Sequence, residues 1–188
     1  LTEDAVFNGT GSGQPLGVIG HAATVSVTKE TNQAASTILF ANIVKMWARM
    51  WARSRANAAW FINQDIEPQL FQMSLSVGTG GIPVYLPANG LSASPYASLM
   101  GRPVIPVEYA ATLGTVGDVI LADFSQYGLL TKGGVNQASS MHVAFTTDEM
   151  AFRTTYRVDG QPLWRTVLTP FKGAANTLAP IVTLATRA

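Results

Sequence analysis

Between Met141 and Val158 the hydrophobic pattern runs at period two. Met141, Val143 and Phe145 alternate with polar neighbours, Thr146-Thr147-Asp148-Glu149 interrupts, and alternation resumes at Phe152, Thr154, Tyr156 and Val158. Strand side chains point alternately to two faces, so this pattern predicts a long hairpin with an acidic tip. Upstream the period changes. Phe40, Ile43, Val44, Trp47 and Trp51 recur at the three-and-four spacing of one helical face. They predict a helix capped by Thr31 or Asn32 and running to about Arg53, with that face buried. A chain holding both periods belongs to the mixed α+β class.

Shorter signals fill in the rest. Asn8–Gly20 holds Gly9, Gly11, Gly13, Gly17, Gly20 and Pro15, and is a loop by composition. The residues before it, Leu1–Phe7, fit the end of a helix. Thr24–Thr28, Ala59–Asn63, Asp118–Asp123, Tyr127–Thr131, Trp164–Leu168 and Ile181–Leu184 are predicted strands. A short helix should begin at Asn63 or Asp65, with Pro68 in its first turn. Val77–Gly90 is turn-rich, and Arg102–Val107 is an edge strand because two prolines interrupt it. Lys132-Gly133-Gly134 is a turn, and Asp159-Gly160 is the strongest short turn signal in the chain.

Composition narrows function. Charged residues are 12% of the 188, against roughly 25% in an ordinary soluble domain, while apolar residues are 47%. Disorder is therefore excluded. With 12 basic and 11 acidic residues the net charge is +1, without the basic excess of a dedicated nucleic-acid binder. Cysteine is absent, which removes disulfides, thiolate zinc sites and thiol nucleophiles. Apolar runs such as Ala58–Ile62 are too short to span a bilayer.

The chemistry-bearing residues do not assemble into a motif. The glycine-rich loop lacks both the dinucleotide spacing and a Gly-Lys-Ser/Thr triplet, so it is a connector. His21 and His142 have no partner at metal-ligand spacing, and no Gly-x-Ser-x-Gly elbow occurs. Asp118 and Asp123 bracket one strand on opposite faces and fit strand-end capping better than a paired-carboxylate site. Lys45, Arg49 and Arg53 form a basic stripe beside Trp47 and Trp51; the wet face of a helix explains it better than nucleic-acid contact. Asn8-Gly9-Thr10 is a glycosylation sequon without other secretory signals. No catalytic, cofactor-binding or metal-binding residue is assigned, no cofactor is expected, and the chain is read as a non-enzyme. A charge-poor chain of this kind fits a subunit that buries surface against copies of itself.

The order of segments resembles the major capsid proteins of tailed phages, the family with the Hong Kong 97 capsid fold. The likeness rests on Glu3-Asp4-Ala5-Val6-Phe7-Asn8-Gly9-Thr10-Gly11, Gln14-Pro15-Leu16-Gly17-Val18 and Trp60-Phe61-Ile62-Asn63. It continues through Gly101-Arg102-Pro103-Val104-Ile105-Pro106-Val107, Ala122-Asp123-Phe124-Ser125-Gln126-Tyr127 and Phe152-Arg153-Thr154-Thr155-Tyr156-Arg157-Val158-Asp159-Gly160. Ala122 departs from the glycine many members carry.

The resemblance implies an α+β capsid fold with an axial domain and part of a peripheral domain. Residues 25–138 and 166–188 would be axial, and residues 1–24 and the hairpin 139–165 peripheral. The family's N-terminal arm, extended loop and most of its spine helix have no counterpart here and are expected before Leu1. The implied function is structural: copies of the subunit, as pentamers and hexamers, close an icosahedral shell around packaged DNA held non-specifically. Scaffolding and portal proteins are implied partners, no membrane is, and the location is the virion, or the host cytoplasm during assembly. The hairpin tip lacks the asparagine that some members cross-link. An encapsulin-type compartment shell is the alternative, and an α+β enzyme a distant one.

Overall fold

The structure, a computed structural model, describes residues 2–77, 80–83, 85–86, 97–173 and 176–187. Helices are α1 (Thr2–Asn8), α2 (Phe40–Arg49) and α3 (Glu67–Gln72). Strands in the first half are β1 (Thr24–Val27), β2 (Ala59–Ile62), β3 (Ser74–Val77), β4 (Gly80–Pro83), β5 (Tyr85–Leu86), β6 (Ser98–Leu99) and β7 (Arg102–Pro106). Those of the second half are β8 (Val119–Ala122), β9 (Tyr127–Thr131), β10 (Asn136–Ala144), β11 (Glu149–Thr155), β12 (Val158–Pro162) and β13 (Ile181–Leu184). Part of the turn-rich stretch, including Gly78, Pro87 and Gly90, lies outside the described residues.

A seven-stranded mixed sheet, in the order β1-β13-β8-β2-β7-β6-β5, organises the core. Period-two alternation divides it into two faces. Trp60 and Ile62 of β2, Val104 of β7, Val119 and Leu121 of β8, and Val182 and Leu184 of β13 pack against Ile43 and Met46 of α2 and Leu70 of α3. Ile120, Ala122 and Ile181 point the other way, onto Phe7 of α1 and Val18. Phe7, Phe61 and Phe124 meet edge to face there, with ring centroids 5.1–5.6 Å apart. Covered on both faces, β8 and β13 are buried throughout, which explains their unbroken apolar runs.

The glycine-rich loop completes α1. Gly9 N–H donates to the Ala5 carbonyl, Val18 N–H to Val6 and Ile19 N–H to Phe7, so the loop returns to satisfy the helix's last carbonyls. A Cβ at Gly9 would collide with the carbonyl oxygens of Ala5 and Pro15. The glycines permit a close backbone return.

Four local expectations need correction. Helix α2 begins at Phe40, not near Thr31. Asn32 and Ser36 hold positive φ. The Gln33 and Asn42 side-chain amides pair reciprocally at 2.8 and 3.1 Å, and Leu39 N–H donates to Asn42 Oδ1. A buried amide pair thus organises the approach as a loop. The helix also stops at Arg49, and its buried face is Asn42, Ile43 and Met46, continued by Met50. Phe40 and Trp47 border that core, whereas Val44 is exposed. Second, Arg102–Val107 is not an edge: β7 lies between β2 and β6, and Val104 and Val107 supply the N–H donors beside the prolines. Third, Trp164–Leu168 forms no strand beyond a single bridge between Leu168 and Leu178. Fourth, Asp159-Gly160 is not a turn. It lies inside β12, where Gly160 faces Leu129 and a Cβ would come 2.8 Å from the Tyr127 ring. Packing of that ring, not reversal of the chain, calls for glycine.

The α3 approach matches expectation. Asn63 Oδ1 accepts from Asp65 N–H, and Pro68 sits in the first turn. Asp123 likewise accepts from Ser125 N–H and Oγ.

The last residues of the chain tie into this core. The Arg187 guanidinium pairs with the Asp118 carboxylate, and both side chains are fully buried. Arg187 Nε donates to the Thr37 carbonyl at 2.7 Å, and Nη1 to Ala185 at 3.0 Å. Asp118 also accepts from the N–H groups of Gly114 and Val119. This latch joins the approach to α2, the turn before β8 and the segment after β13.

Candidate assembly surface

The hairpin expected from the alternation is present and longer than the sequence indicated. β9 pairs antiparallel with β12, from Tyr127 opposite Pro162 to Thr131 opposite Val158. The chain continues through Lys132-Gly133-Gly134 into β10, which pairs with β11 from Asn136 opposite Thr155 to Ala144 opposite Glu149, with an irregularity between Ser140 and Ala144. Lys132 N–H donates to the Arg157 carbonyl and bridges the two ladders. Residues 127–162 are therefore one nested arm. Its root is fastened by Tyr127, whose hydroxyl donates to the Leu16 carbonyl at 2.9 Å, and, just beyond it, by Trp164, whose Nε1 donates to Gln126 and whose ring meets Trp51 edge to face at 5.1 Å. Burial, with the Asp159 carboxylate adding to it, raises the Tyr127 pKa above its ordinary value.

Beyond the root the apolar side chains are uncovered. Val143 is 78% exposed, and Phe145 and Phe152 are each 79% exposed; Leu130, Met141 and Met150 are exposed as well. Two paired strands have no core of their own, and apolar groups held in water mark an interaction surface. The charges on the arm are separated. Asp148 and Glu149 occupy the tip, with Asp148 at positive φ. Lys132, Arg153 and Arg157 gather around a notch of about 330 Å³ at the base of the β10–β11 ribbon. A larger cleft of about 660 Å³ separates α1 and the glycine-rich loop from Tyr156–Asp159.

The residues singled out in the sequence do not converge. His21 Nδ1 accepts from Ala23 N–H, while His142 is exposed on β10. Asp118 and Asp123 stand at opposite ends of β8, each engaged as described. Among the described residues, no three His, Asp or Glu side chains form a group that could hold a metal ion. No described helix is long and apolar enough to cross a membrane. The basic stripe is engaged within the chain. Lys45 pairs with Glu30 at 2.7 Å, Arg49 donates to Thr177 and Asn176, and Arg53 lies over the Trp51 ring. Sequence reasoning missed the basic notch, whose members are distant in sequence until the hairpin register brings them together, and it missed the role of Arg187.

The chain is similar in structure to the capsid of an empty GTA particle computed with C5 symmetry, with a TM-score of 0.68 and 20% identity. It is also similar to the capsid of the native GTA particle, with a TM-score of 0.66 and 19% identity. In each case the match covers 98% of this chain and 60% of the other, so the chain spans about three-fifths of their length. A comparison with curated proteins finds no match. The α+β arrangement, a strand-rich core carrying a projecting hairpin, is thus the fold of phage-like capsids. The family model described as "Phage capsid family" matches residues 1–169, and the chain belongs to that family.

Proposed function

We propose that this chain is the shell-forming portion of a phage or phage-like major capsid protein, which assembles with copies of itself into an icosahedral shell around DNA. The observation that carries the reading is the exposed apolar arm, 127–162, projecting from a core packed on both faces in a chain of the phage capsid family. Its role is structural rather than catalytic, and its contacts with packaged DNA are non-specific, in keeping with a net charge of +1. Residues 25–138 and 166–188 act as the axial part; residues 1–24 and the hairpin 139–165 act as the peripheral part. Copies meet as pentamers and hexamers, with scaffolding and portal proteins as partners, in the host cytoplasm and then in the particle. Expression of the complete protein followed by sizing and electron microscopy tests this. Closed shells that protect DNA are expected. Shells filled with protein cargo would favour a compartment instead, and a monomer with turnover would overturn the reading.

A further inference from the structure

The two ends of the β10–β11 ribbon carry opposite charge. At the tip are Asp148 and Glu149, flanked by the exposed Phe145 and Met150. At the base, Lys132, Arg153 and Arg157 surround the notch. None of these five makes an ion pair among the described residues. The tip cannot fold back onto its own base. The regular strand of the ribbon, β11, has seven residues, and at about 3.3 Å per residue the ends lie about 20 Å apart. Acid and base therefore require a second molecule to meet.

We infer that the acidic tip of one copy docks in the Lys132–Arg153–Arg157 notch of a second copy, head to tail. This inference rests on the shell reading above and names the contact within it. The occupant is a copy of this chain because the complementary charges occur on one chain and the side chains flanking the tip, Phe145 and Met150, are apolar and exposed. Opposite charges set the direction and register, while Phe145 and Met150 beside the tip supply the apolar area. A contact joining two different patches is heterologous, so each copy offers a tip and a notch, and repetition closes a ring when the rotation permits.

Disulfide trapping and charge reversal test the contact in the complete assembled protein. The chain has no cysteine, so Asp148→Cys with Asn136→Cys offers one thiol at the tip and one at the notch. A disulfide needs Cα atoms about 4.4–6.8 Å apart, which the two ends of one ribbon cannot reach. Oxidised shells should give a ladder of covalent oligomers on a non-reducing gel, and each single-cysteine variant should give no ladder. Separately, Asp148→Arg with Glu149→Arg, or Arg153→Glu with Arg157→Glu, should each lower shell yield at least tenfold at physiological salt. The four substitutions combined should restore it. Thermal melts matching the parent confirm folding. Shells from the parent, no ladder from the double-cysteine variant and normal yield from both reversals would overturn the pairing while leaving the shell reading intact. A parent that forms no shell under any condition would overturn both.

Discussion

In β8 and β13 every side chain is buried, whereas in the β10–β11 ribbon most described side chains face water, Val143 and Phe152 among them. Both regions are strand, and both carry β-branched residues. They differ in what covers them. The sheet has α2 and α3 on one face and α1 with its glycine-rich return on the other. The ribbon has only itself. Apolar residues in the first region stabilise the monomer; in the second they face water. Strand propensity alone does not distinguish the two uses, because it reflects fit to a pleated surface and not the presence of a partner. Tyr127, which is partly buried, and Gly160, which is buried, join the two regions.

The buried region depends most on the latch. Arg187→Ala leaves the Asp118 carboxylate buried without its counter-ion, a loss of about 3–5 kcal/mol. That is a large share of the roughly 5–15 kcal/mol that holds a domain together. Urea unfolding measures it, and an unchanged midpoint would show that the sheet does not depend on its C-terminal segment.

At the joint, Gly160→Ala places a methyl group 2.8 Å from the Tyr127 ring and 3.0 Å from Leu129 Cδ1. Overpacking of this kind costs about 1–3 kcal/mol. The melting temperature should fall, with the hairpin amides of residues 127–131 losing hydrogen-exchange protection first.

Tyr127→Phe is milder. It removes one hydrogen bond, worth about 0.5–1.5 kcal/mol near neutrality. The folded-state pKa is raised, by burial first and Asp159 second. The protonated phenol therefore contributes fully below the unfolded value of about 10, and its contribution is lost as pH rises through the folded value. The stability gap between parent and Tyr127→Phe should narrow above that pH. A gap that stays constant through strong alkali would place the hydroxyl in water.

The smallest effect on folding is expected on the ribbon. Phe152→Ser and Val143→Ser should shift monomer stability by no more than about 0.5 kcal/mol, as exposed positions do. The same substitutions in the complete protein should depress shell formation, read by light scattering. A monomer that unfolds on losing Phe152 would mean that the ribbon packs on its own core, and the contrast between the regions would disappear.

Much of this architecture was legible in the residues. Short unbroken apolar runs marked β2, β8 and β13; period two marked the hairpin; period three to four marked α2; Asn63 and Pro68 marked the approach to α3. These signals are local: a strand's alternation or a cap's hydrogen bond is complete within a few residues. The misreadings have a common origin. The start of α2 depends on Gln33 pairing with Asn42, nine positions away. The interior placement of Arg102–Val107 depends on β2 and β6, and the meaning of Asp159-Gly160 depends on the Tyr127 ring. The same dipeptide serves a turn or lies beneath an aromatic ring, and only the neighbour decides.

By itself, then, the sequence determined the local periods, the shortage of charge and the alternation of the hairpin, because each is a property of consecutive residues. Only the tertiary structure decided that Arg187 meets Asp118, 69 positions away, and that Lys132, Arg153 and Arg157 share one notch. A contact between distant residues is set by chain topology and register, and many sequence pairings compete for each such place. Packing chooses among them by leaving the fewest charges unpaired and the fewest buried apolar surfaces uncovered.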